Sequence, residues 1–423
     1  MRVYLRTFGC RANHYDTEAV RAMIGAAGYT LVASAAEADL AVFNSCAVTA
    51  DAEADLRQSV RRAARHNQGL RSIVMGCAAS LDRGAIRSLP TVSHTIPGAD
   101  LEGVAAALDL PPAAGLGVIT RVQNSARALL RIQDGCDEHC TFCATTMARG
   151  SARSRPIEAL VEEASGLAEH HPEIVITGIH VGSWGVDLGQ PLSALVETLV
   201  RRVPSVRFRL SSLEATEVDA PMRDLLRSAD GRVAPHLHAP LQSGSDRILR
   251  RMGRHWYDSR TYMAAVNSLV HDRDVFGLGA DILCGFPGET EDDHRATLAI
   301  VARLPFTYLH VFPFSPRPGT VATRTGTPVP AAIIERRASE LRTIGARLAD
   351  AYRARRSGGA ADVVVTRGGA ECQGVTEDFL TVTLAEPIPR GTRLSARLTN
   401  AGDSLVATPD AADGSSSRYL SAS

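Results

Sequence analysis

The sequence predicts an α/β protein of three units: an N-terminal doubly wound parallel sheet, a central partial parallel (β/α) barrel and a small C-terminal antiparallel β-barrel. Three observations carry that expectation. The chain has 423 residues, more than the roughly 250–300 at which a single core stops growing. Over most of its length short apolar runs alternate with amphipathic stretches, the pattern of parallel strands covered by helices on both faces. Towards the end the pattern changes to short alternating strands split by turn residues. With 45% hydrophobic and 22% charged residues, there is ample apolar material for packed cores.

The elements follow in order. In residues 1–115 the segments VYLRTF, HYDTEAVRAMIGAAG, ADLAVFNS, ADAEADLRQSVRRAARHN and RSIVMG read as strand, helix, strand, helix and strand. A linker, DLPPAAGLG at 109–117, closes this unit. Residues 122–356 form the second unit, with strands ALLRIQ, EIVITG, VRFRLSS, HLHAPL, VFGLGADILCG and YLHVFPF separated by helical patterns. Six strand–helix units predict a full or partial parallel barrel with its site at the strand carboxyl ends. A long Arg/Ala-rich helix at about 330–356 closes it. The third unit, 358–408, carries ADVVVTR, GVTEDFLTVTL and TRLSARLT, and the tail at 409–423 is predicted to be disordered.

Formal net charge is zero, so no overall basic field points to nucleic acid, and any such contact must come from local patches. All 46 basic residues are arginine, which reads as a compositional bias of the genome, although guanidinium forks also suit phosphate. MRVYLRTFGC lacks a basic segment leading into an apolar core, and no apolar run approaches the ~20 residues of a membrane span. A cytoplasmic protein without membrane contact is expected. In that reducing compartment the eight cysteines read as metal ligands or core residues rather than disulfides.

Spacing sorts them. Cys136-Asp-Glu-His-Cys140-Thr-Phe-Cys143 directly follows the first strand of the second unit. Three thiolates so close can hold one cubane iron–sulfur cluster and leave an iron open for substrate. Structural zinc is the alternative, but it wants four ligands, and the only nearby candidate, His139, lies inside the loop. Cys10, Cys46 and Cys77 each fall just past a predicted strand of the first unit, and those strand ends share one crest where ligands bind. A second three-cysteine cluster is therefore expected there, against the plainer reading of three core cysteines. Cys284 and Cys372 have no partners at ligand spacing and read as structural.

The CxxxCxxC run with an aromatic before its last cysteine resembles the radical S-adenosylmethionine superfamily. Two triads in this order, together with TFGCRANHYDTEAV, NSCAVT, VMGC, VITGIHVGSWG, HLHAPLQSGSDRILRRM, GADILCGFPGETEDD and LHVFPFSPRPGT, resemble its methylthiotransferases over nearly the whole chain. The resemblance implies two [4Fe–4S] clusters, S-adenosylmethionine chelated at the open iron and cleaved to a 5′-deoxyadenosyl radical, and a first-unit cluster that supplies or relays sulfur. It implies a transfer RNA anticodon stem-loop as substrate, an electron donor such as flavodoxin or ferredoxin, and a sulfur source. The third unit falls where this family carries an RNA-binding TRAM domain. IQDGCDEHCTFC, HAPLQSGSDRILRRM and LHVFPFSPRPGT look closest to the subfamily acting on N6-threonylcarbamoyladenosine at position 37. Related members act on N6-isopentenyladenosine, where asparagine more often stands at the position of Asp137, or on an aspartate of a ribosomal protein. Ala144 to Arg149 departs from the family's isoleucine-proline, which leaves the shape of that loop open.

Further residues are expected at the cofactor. Gly178, in Thr177-Gly-Ile-His180, resembles the segment that approaches the methionine end, where glycine permits close backbone approach. Ser211, Ser212 and Glu214 end the next strand and could bond ribose hydroxyls, while Gln242 to Ser245 end another. Arg57, Arg61, Arg62 and Arg65 share one helix face, and Arg149, Arg153 and Arg155 follow the radical triad. Both sets are candidates for stem-loop phosphates, against the plain reading of solvated charge.

Overall fold

A computed structural model describes residues 1–111, 114, 120–228, 230–402 and 404–410. Most of the predicted linker and residues 411–423 of the tail lie outside the described residues. The first sheet has strands β1 (Arg2–Thr7), β2 (Thr30–Leu31), β3 (Leu40–Ser45), β4 (Arg71–Gly76) and β5 (Val92–Pro97), in the order β2-β1-β3-β4-β5. Every ladder in it is parallel. Along β3, Leu40 and Val42 face one core with helices α1 (Arg11–Ala26) and, later in the chain, α4 (Leu101–Ala107), while Ala41 and Phe43 face another with α2 (Ala50–His66). This period of two, apolar on both faces, is what a doubly wound sheet requires. A single turn, α3 (Cys77–Ser80), follows β4.

The second unit places β6 (Ala128–Arg131) before two short strands, β7 (Gln133–Asp134) and β8 (Arg153–Ser154), that pair around the loop of Cys136, Cys140 and Cys143 and its helix α5 (Thr145–Arg149). Strands β9 (Glu173–Thr177), β10 (Arg207–Leu210), β11 (His236–His238), β12 (Gly277–Cys284) and β13 (Tyr308–Pro313) complete it. They form the sheets β6-β9-β10 and β11-β12-β13, joined by parallel bridges Phe208–Val233 and Ser212–His238. The result is a curved run of six parallel strands, the predicted partial barrel. Helices α6 (Ile157–Ala168), α7 (Leu192–Arg202), α8 (Ala220–Arg227), α9 (Asp246–Arg251), α10 (Ser259–Val270) and α11 (Glu291–Arg303) are threaded between the strands, and the long α12 (Ala331–Arg356) follows β13.

Leu278, Ala280 and Ile282 of β12, with Leu309 and Val311 of β13, point outward into the main core. Alternation therefore turns Gly277, Gly279, Asp281, Tyr308, His310 and Phe312 into the lumen. Helix α1 lies along the open side at β6, where Arg131 pairs with Asp16 at 2.5 Å and Tyr15 donates to buried Glu163 at 3.0 Å.

The third unit is a closed barrel of β14 (Ala360–Arg367), β15 (Gln373–Thr376), β16 (Thr381–Leu384), β17 (Arg393–Ala401) and β18 (Ser404–Pro409), ordered β14-β15-β16-β18-β17. It departs from the expectation in one ladder: β16 and β18 run parallel, and the rest are antiparallel. The segment GVTEDFLTVTL is broken into two strands by a turn at Glu377–Phe379, in which Phe379 takes a left-handed φ of 71°.

Candidate active site: two cysteine triads

Cys10, Cys46 and Cys77 follow the carboxyl ends of β1, β3 and β4, and that crest brings them together as the topology predicts. Two of the three are preceded by glycines of positive φ, Gly9 at 99° and Gly76 at 98°. A side-chain carbon on Gly9 would stand 2.6 Å from Cys46 Cβ and 2.7 Å from its Sγ. The chain can turn off the strand and still approach the neighbouring cysteine only without that carbon.

Asn13, one turn into α1 and fully buried, ties the triad to its frame. Its amide nitrogen donates to Asn44 Oδ1 at 3.1 Å and to the Ser45 carbonyl at 2.7 Å. Its oxygen faces the Cys10 thiol at 3.4 Å and the Cys77 thiol at 4.0 Å. Nitrogen donors are also aimed at sulfur: Val48 N–H reaches Cys46 Sγ at 3.4 Å, and Arg149 Nε reaches Cys77 Sγ at 3.2 Å. Burial, with the neighbouring Cys10 and Cys77 adding to it, pushes the Cys46 thiol up to about 11 against the Val48 amide.

The second triad follows β7. Gly135, again at positive φ (75°), precedes Cys136, and a side-chain carbon there would overlap the Ser151 carbonyl. Donors reach these sulfurs too, Thr145 N–H to Cys143 at 3.3 Å and Arg254 Nη1 to Cys140 at 3.5 Å. Burial, with Arg254 opposing and Cys143 and Cys136 adding, pushes Cys140 up to about 12. Two sets of three thiols, each supplied with N–H donors that compensate negative charge on sulfur, fit the ligand and outer-shell requirements of two iron–sulfur clusters with an open iron each.

Around the second triad the contacts close into a ring. His180 lies beside Cys136, and its Nε2 meets Glu217 at 2.7 Å. Burial works against its charge, yet the neighbouring Cys136 and Glu217 raise its pKa to about 10. Glu217 accepts from Glu214 N–H at 3.2 Å, and Glu214 accepts from Arg254 and Trp256, which returns the ring to Cys140. Of the residues expected at the cofactor, Glu214 is thus in the ring, with its carboxylate already engaged by two donors. Burial holds that carboxyl above its ordinary range, Arg254 opposing.

Gly178 lies one strand over, and its close neighbour is a side chain of this protein. A carbon there would stand 3.0 Å from Gln133 Oε1, which accepts from Ile179 and His180 N–H at 3.1 and 3.0 Å. Ser211 is buried at the end of β10, its amide donating to the Ile176 carbonyl at 3.0 Å. Gln242 stands apart from the ring, in a left-handed φ of 63°, with its amide on the Asp281 carbonyl at 2.8 Å. Strain at a non-glycine residue costs about 1–3 kcal/mol and tends to cluster at functional sites. Cys284 and Cys372 are buried in apolar cores, away from either triad.

The structure corrects part of the arginine assignment. Arg149 has a fully buried side chain that pairs with Asp16 at 2.8 Å and Asp134 at 3.3 Å, so it cannot offer its charge to phosphate. Arg155 is likewise committed, to Glu163 at 2.7 Å and the Arg131 carbonyl at 2.9 Å. Arg153, Arg61, Arg62 and Arg65 are exposed; Arg57 is half-buried and lies 3.6 Å from Glu53. Asn13, Gln133 and Arg254 were not singled out by sequence. Only Asn13 left a signal there, its place one helical turn after a cysteine of the first triad.

Residues 2–98 match the profile of the uncharacterized protein family UPF0004, and residues 130–301 that of the Radical SAM superfamily. The chain is 34% identical over 343 residues to the threonylcarbamoyladenosine tRNA methylthiotransferase of Thermotoga maritima, covering 78% of each chain. It is 34% identical over 369 residues to the protein of that name from Bacillus subtilis, covering 83% of this chain and 81% of the relative. Among solved structures it resembles a radical S-adenosylmethionine methyltransferase from Kitasatospora setae with cobalamin and a [4Fe–4S] cluster bound, with a TM-score of 0.57, 15% identity and 76% of each chain covered. That likeness concerns the fold.

Proposed function

The chain belongs to the radical S-adenosylmethionine tRNA methylthiotransferase family, and on that premise we propose that it converts N6-threonylcarbamoyladenosine at position 37 of transfer RNA to its 2-methylthio derivative. Its cofactors are S-adenosylmethionine and [4Fe–4S] clusters. We assign Cys136, Cys140 and Cys143 to the radical cluster and Cys10, Cys46 and Cys77 to the auxiliary one. The observation that carries the reading is Arg149. It follows the radical triad on α5 and bonds Cys77 of the auxiliary triad, so one buried guanidinium fixes the two sites relative to each other.

When bound, the radical cluster and S-adenosylmethionine supply the hydrogen-abstracting radical. The protein's part is positioning. Asn13 and Arg149 orient the auxiliary thiols, and the ring from His180 to Arg254 holds the loop of the radical triad. Gly178, Ser211, Glu214 and Gln242, at or beside the strand ends around that triad, are assigned to the cofactor's pocket. We assign the enzyme to the cytoplasm, where transfer RNA is modified; among the described residues no helix is long and apolar enough to cross a membrane. An electron donor of the flavodoxin or ferredoxin type and a sulfur source complete the reaction.

Nucleoside mass spectrometry of transfer RNA from cells with and without the protein tests this. Cells lacking it are expected to lose 2-methylthio-N6-threonylcarbamoyladenosine and accumulate its unthiolated precursor. Complementation by a Cys136, Cys140 and Cys143 to Ala variant should restore nothing. Loss of the methylthio-isopentenyl nucleoside instead moves the substrate to the sister subfamily, and no change in either nucleoside points to the ribosomal-protein reaction.

A further inference from the structure

Arg11 differs from the other guanidiniums around the floor of the catalytic barrel. It is the first residue of α1, directly after Cys10, and its guanidinium carbon lies 5.9 Å from the centre of the Phe379 ring. Arg127 and Arg209 approach the same ring at 5.8 and 5.4 Å. The ring itself lies against the lumen side chains His236 and Tyr308, with centroids 4.6 and 5.4 Å apart. Arg11 therefore reaches from the auxiliary triad into the lumen.

Its neighbours already have a carboxylate. Arg127 meets Glu173 at 3.3 Å, and Arg209 meets it at 2.8 Å. Glu173 also takes Arg207 at 2.6 Å, and Arg207 reaches Asp362 at 2.9 Å, so three guanidiniums share two acids. The Arg11 side chain has neither a hydrogen bond nor an ion pair among the described residues, although it is mostly shielded from solvent. A half-buried guanidinium with unused donors, set in an excess of positive charge, suits an anion.

We propose that Arg11 binds the carboxylate of the threonylcarbamoyl group and so sets the preference for that nucleoside over an apolar one. This rests on the substrate reading above. The group is a planar carboxylate on a short stem attached to the base, and a guanidinium fork can meet it with two parallel N–H donors. An isopentenyl group in the same place leaves the guanidinium unpaired in a poorly hydrated lumen, which disfavours the wrong substrate as well as favouring the right one. An RNA phosphate is the other anion within the same chemistry, and the probes below separate the two.

The experiment measures Kd by fluorescence anisotropy with the full chain carrying both clusters. The probes are anticodon stem-loops bearing N6-threonylcarbamoyladenosine, the same nucleoside with its acid replaced by a primary amide, or isopentenyladenosine. All phosphates are identical, so any difference reports the group on the base. The parent protein should bind the acid about ten- to one-hundredfold more tightly than the amide, the range of a hydrogen bond to a charged group. Arg11→Gln with parental iron content should bind the two equally. An Arg11→Gln protein that keeps the parental preference overturns the proposal, as does a parent that accepts the threonylcarbamoyl substrate without distinguishing acid from amide. If Arg11→Gln loses iron, Arg11→Lys answers the question: a reduced preference supports the fork, and an unreduced one overturns it. A parent that binds the isopentenyl stem-loop and ignores the threonylcarbamoyl one removes the substrate reading itself, whatever the variants do.

Discussion

Arg149 shows how a single residue can serve chemistry without facing the substrate. Its charge is neutralised by Asp16 at 2.8 Å and Asp134 at 3.3 Å, while Nη2 donates to Asn13 at 3.0 Å and Nε to Cys77 at 3.2 Å. From sequence it stands among arginines after a cluster motif and reads as a phosphate contact, because its burial depends on Asn13 and Asp16 of α1, more than 130 residues away in the chain, meeting it in space. Arg149→Met is expected to destabilise the protein by about 3–5 kcal/mol, since it strands buried acid. The denaturant midpoint checks this, and iron content should fall with it because Cys77 loses its donor. A parental midpoint would mean that Arg131, 2.5 Å from Asp16, suffices alone.

At the scale of elements, the site is made where strands end. Gly9, Gly76 and Gly135 each precede a cysteine of the two triads and each has positive φ, so the dipeptide Gly-Cys is the local device that turns the chain off a strand and presents a thiol. Gly76→Ala would place a carbon 2.5 Å from both Asn44 Oδ1 and the Ser45 carbonyl. It is expected to lose about half of the bound iron, the share of one cluster in two. Gly84 has a φ of 105° with nothing near a substituent, so Gly84→Ala carries the backbone cost without the clash and should keep its iron. Equal iron in both variants would show that the clash at Gly76 is relieved by movement. The crest itself was legible from sequence, because a parallel sheet puts every strand's carboxyl end on one side and three cysteines each followed a strand. β5, the edge strand VSHTIP, was not, since its polar residues face water at the sheet's edge and the apolar run is too short to stand out.

On the scale of the whole molecule, the third unit is part of the catalytic barrel's structure as well as a candidate RNA-binding module. Its turn at Glu377–Phe379 closes the floor: Arg209 donates to the Thr376 and Glu377 carbonyls, both at 2.9 Å, and Arg207 to the Asp362 carbonyl at 2.9 Å. A side-chain carbon on Gly277 would overlap the Asp378 carbonyl, so β12 is fitted to the turn. On the other side, Tyr352 and Arg356 of α12 hold Asp378 at 2.6 and 2.7 Å. Alternation made three strand segments of this unit legible, with β15 and β16 read as one run and β18 not read at all, and a contact between a turn and a lumen distant in the chain leaves no periodic trace. Removing everything from residue 358 would therefore uncover Glu173 and its arginines, and any loss of RNA binding would be mixed with damage to the cluster site. Phe379 offers a cleaner probe. Phe379→Ala should destabilise the full chain by about 2–3 kcal/mol, below the value for a fully buried ring because this one is half-buried. Phe379→Gly removes the same ring but relieves the left-handed backbone at φ 71°, worth roughly 1 kcal/mol against alanine. Denaturant unfolding should thus rank the glycine variant above the alanine one, although glycine is smaller and ordinarily the weaker choice. The reverse order would mean that the turn relaxes once the ring is gone, and parental stability in both would mean that the ring does not hold the floor.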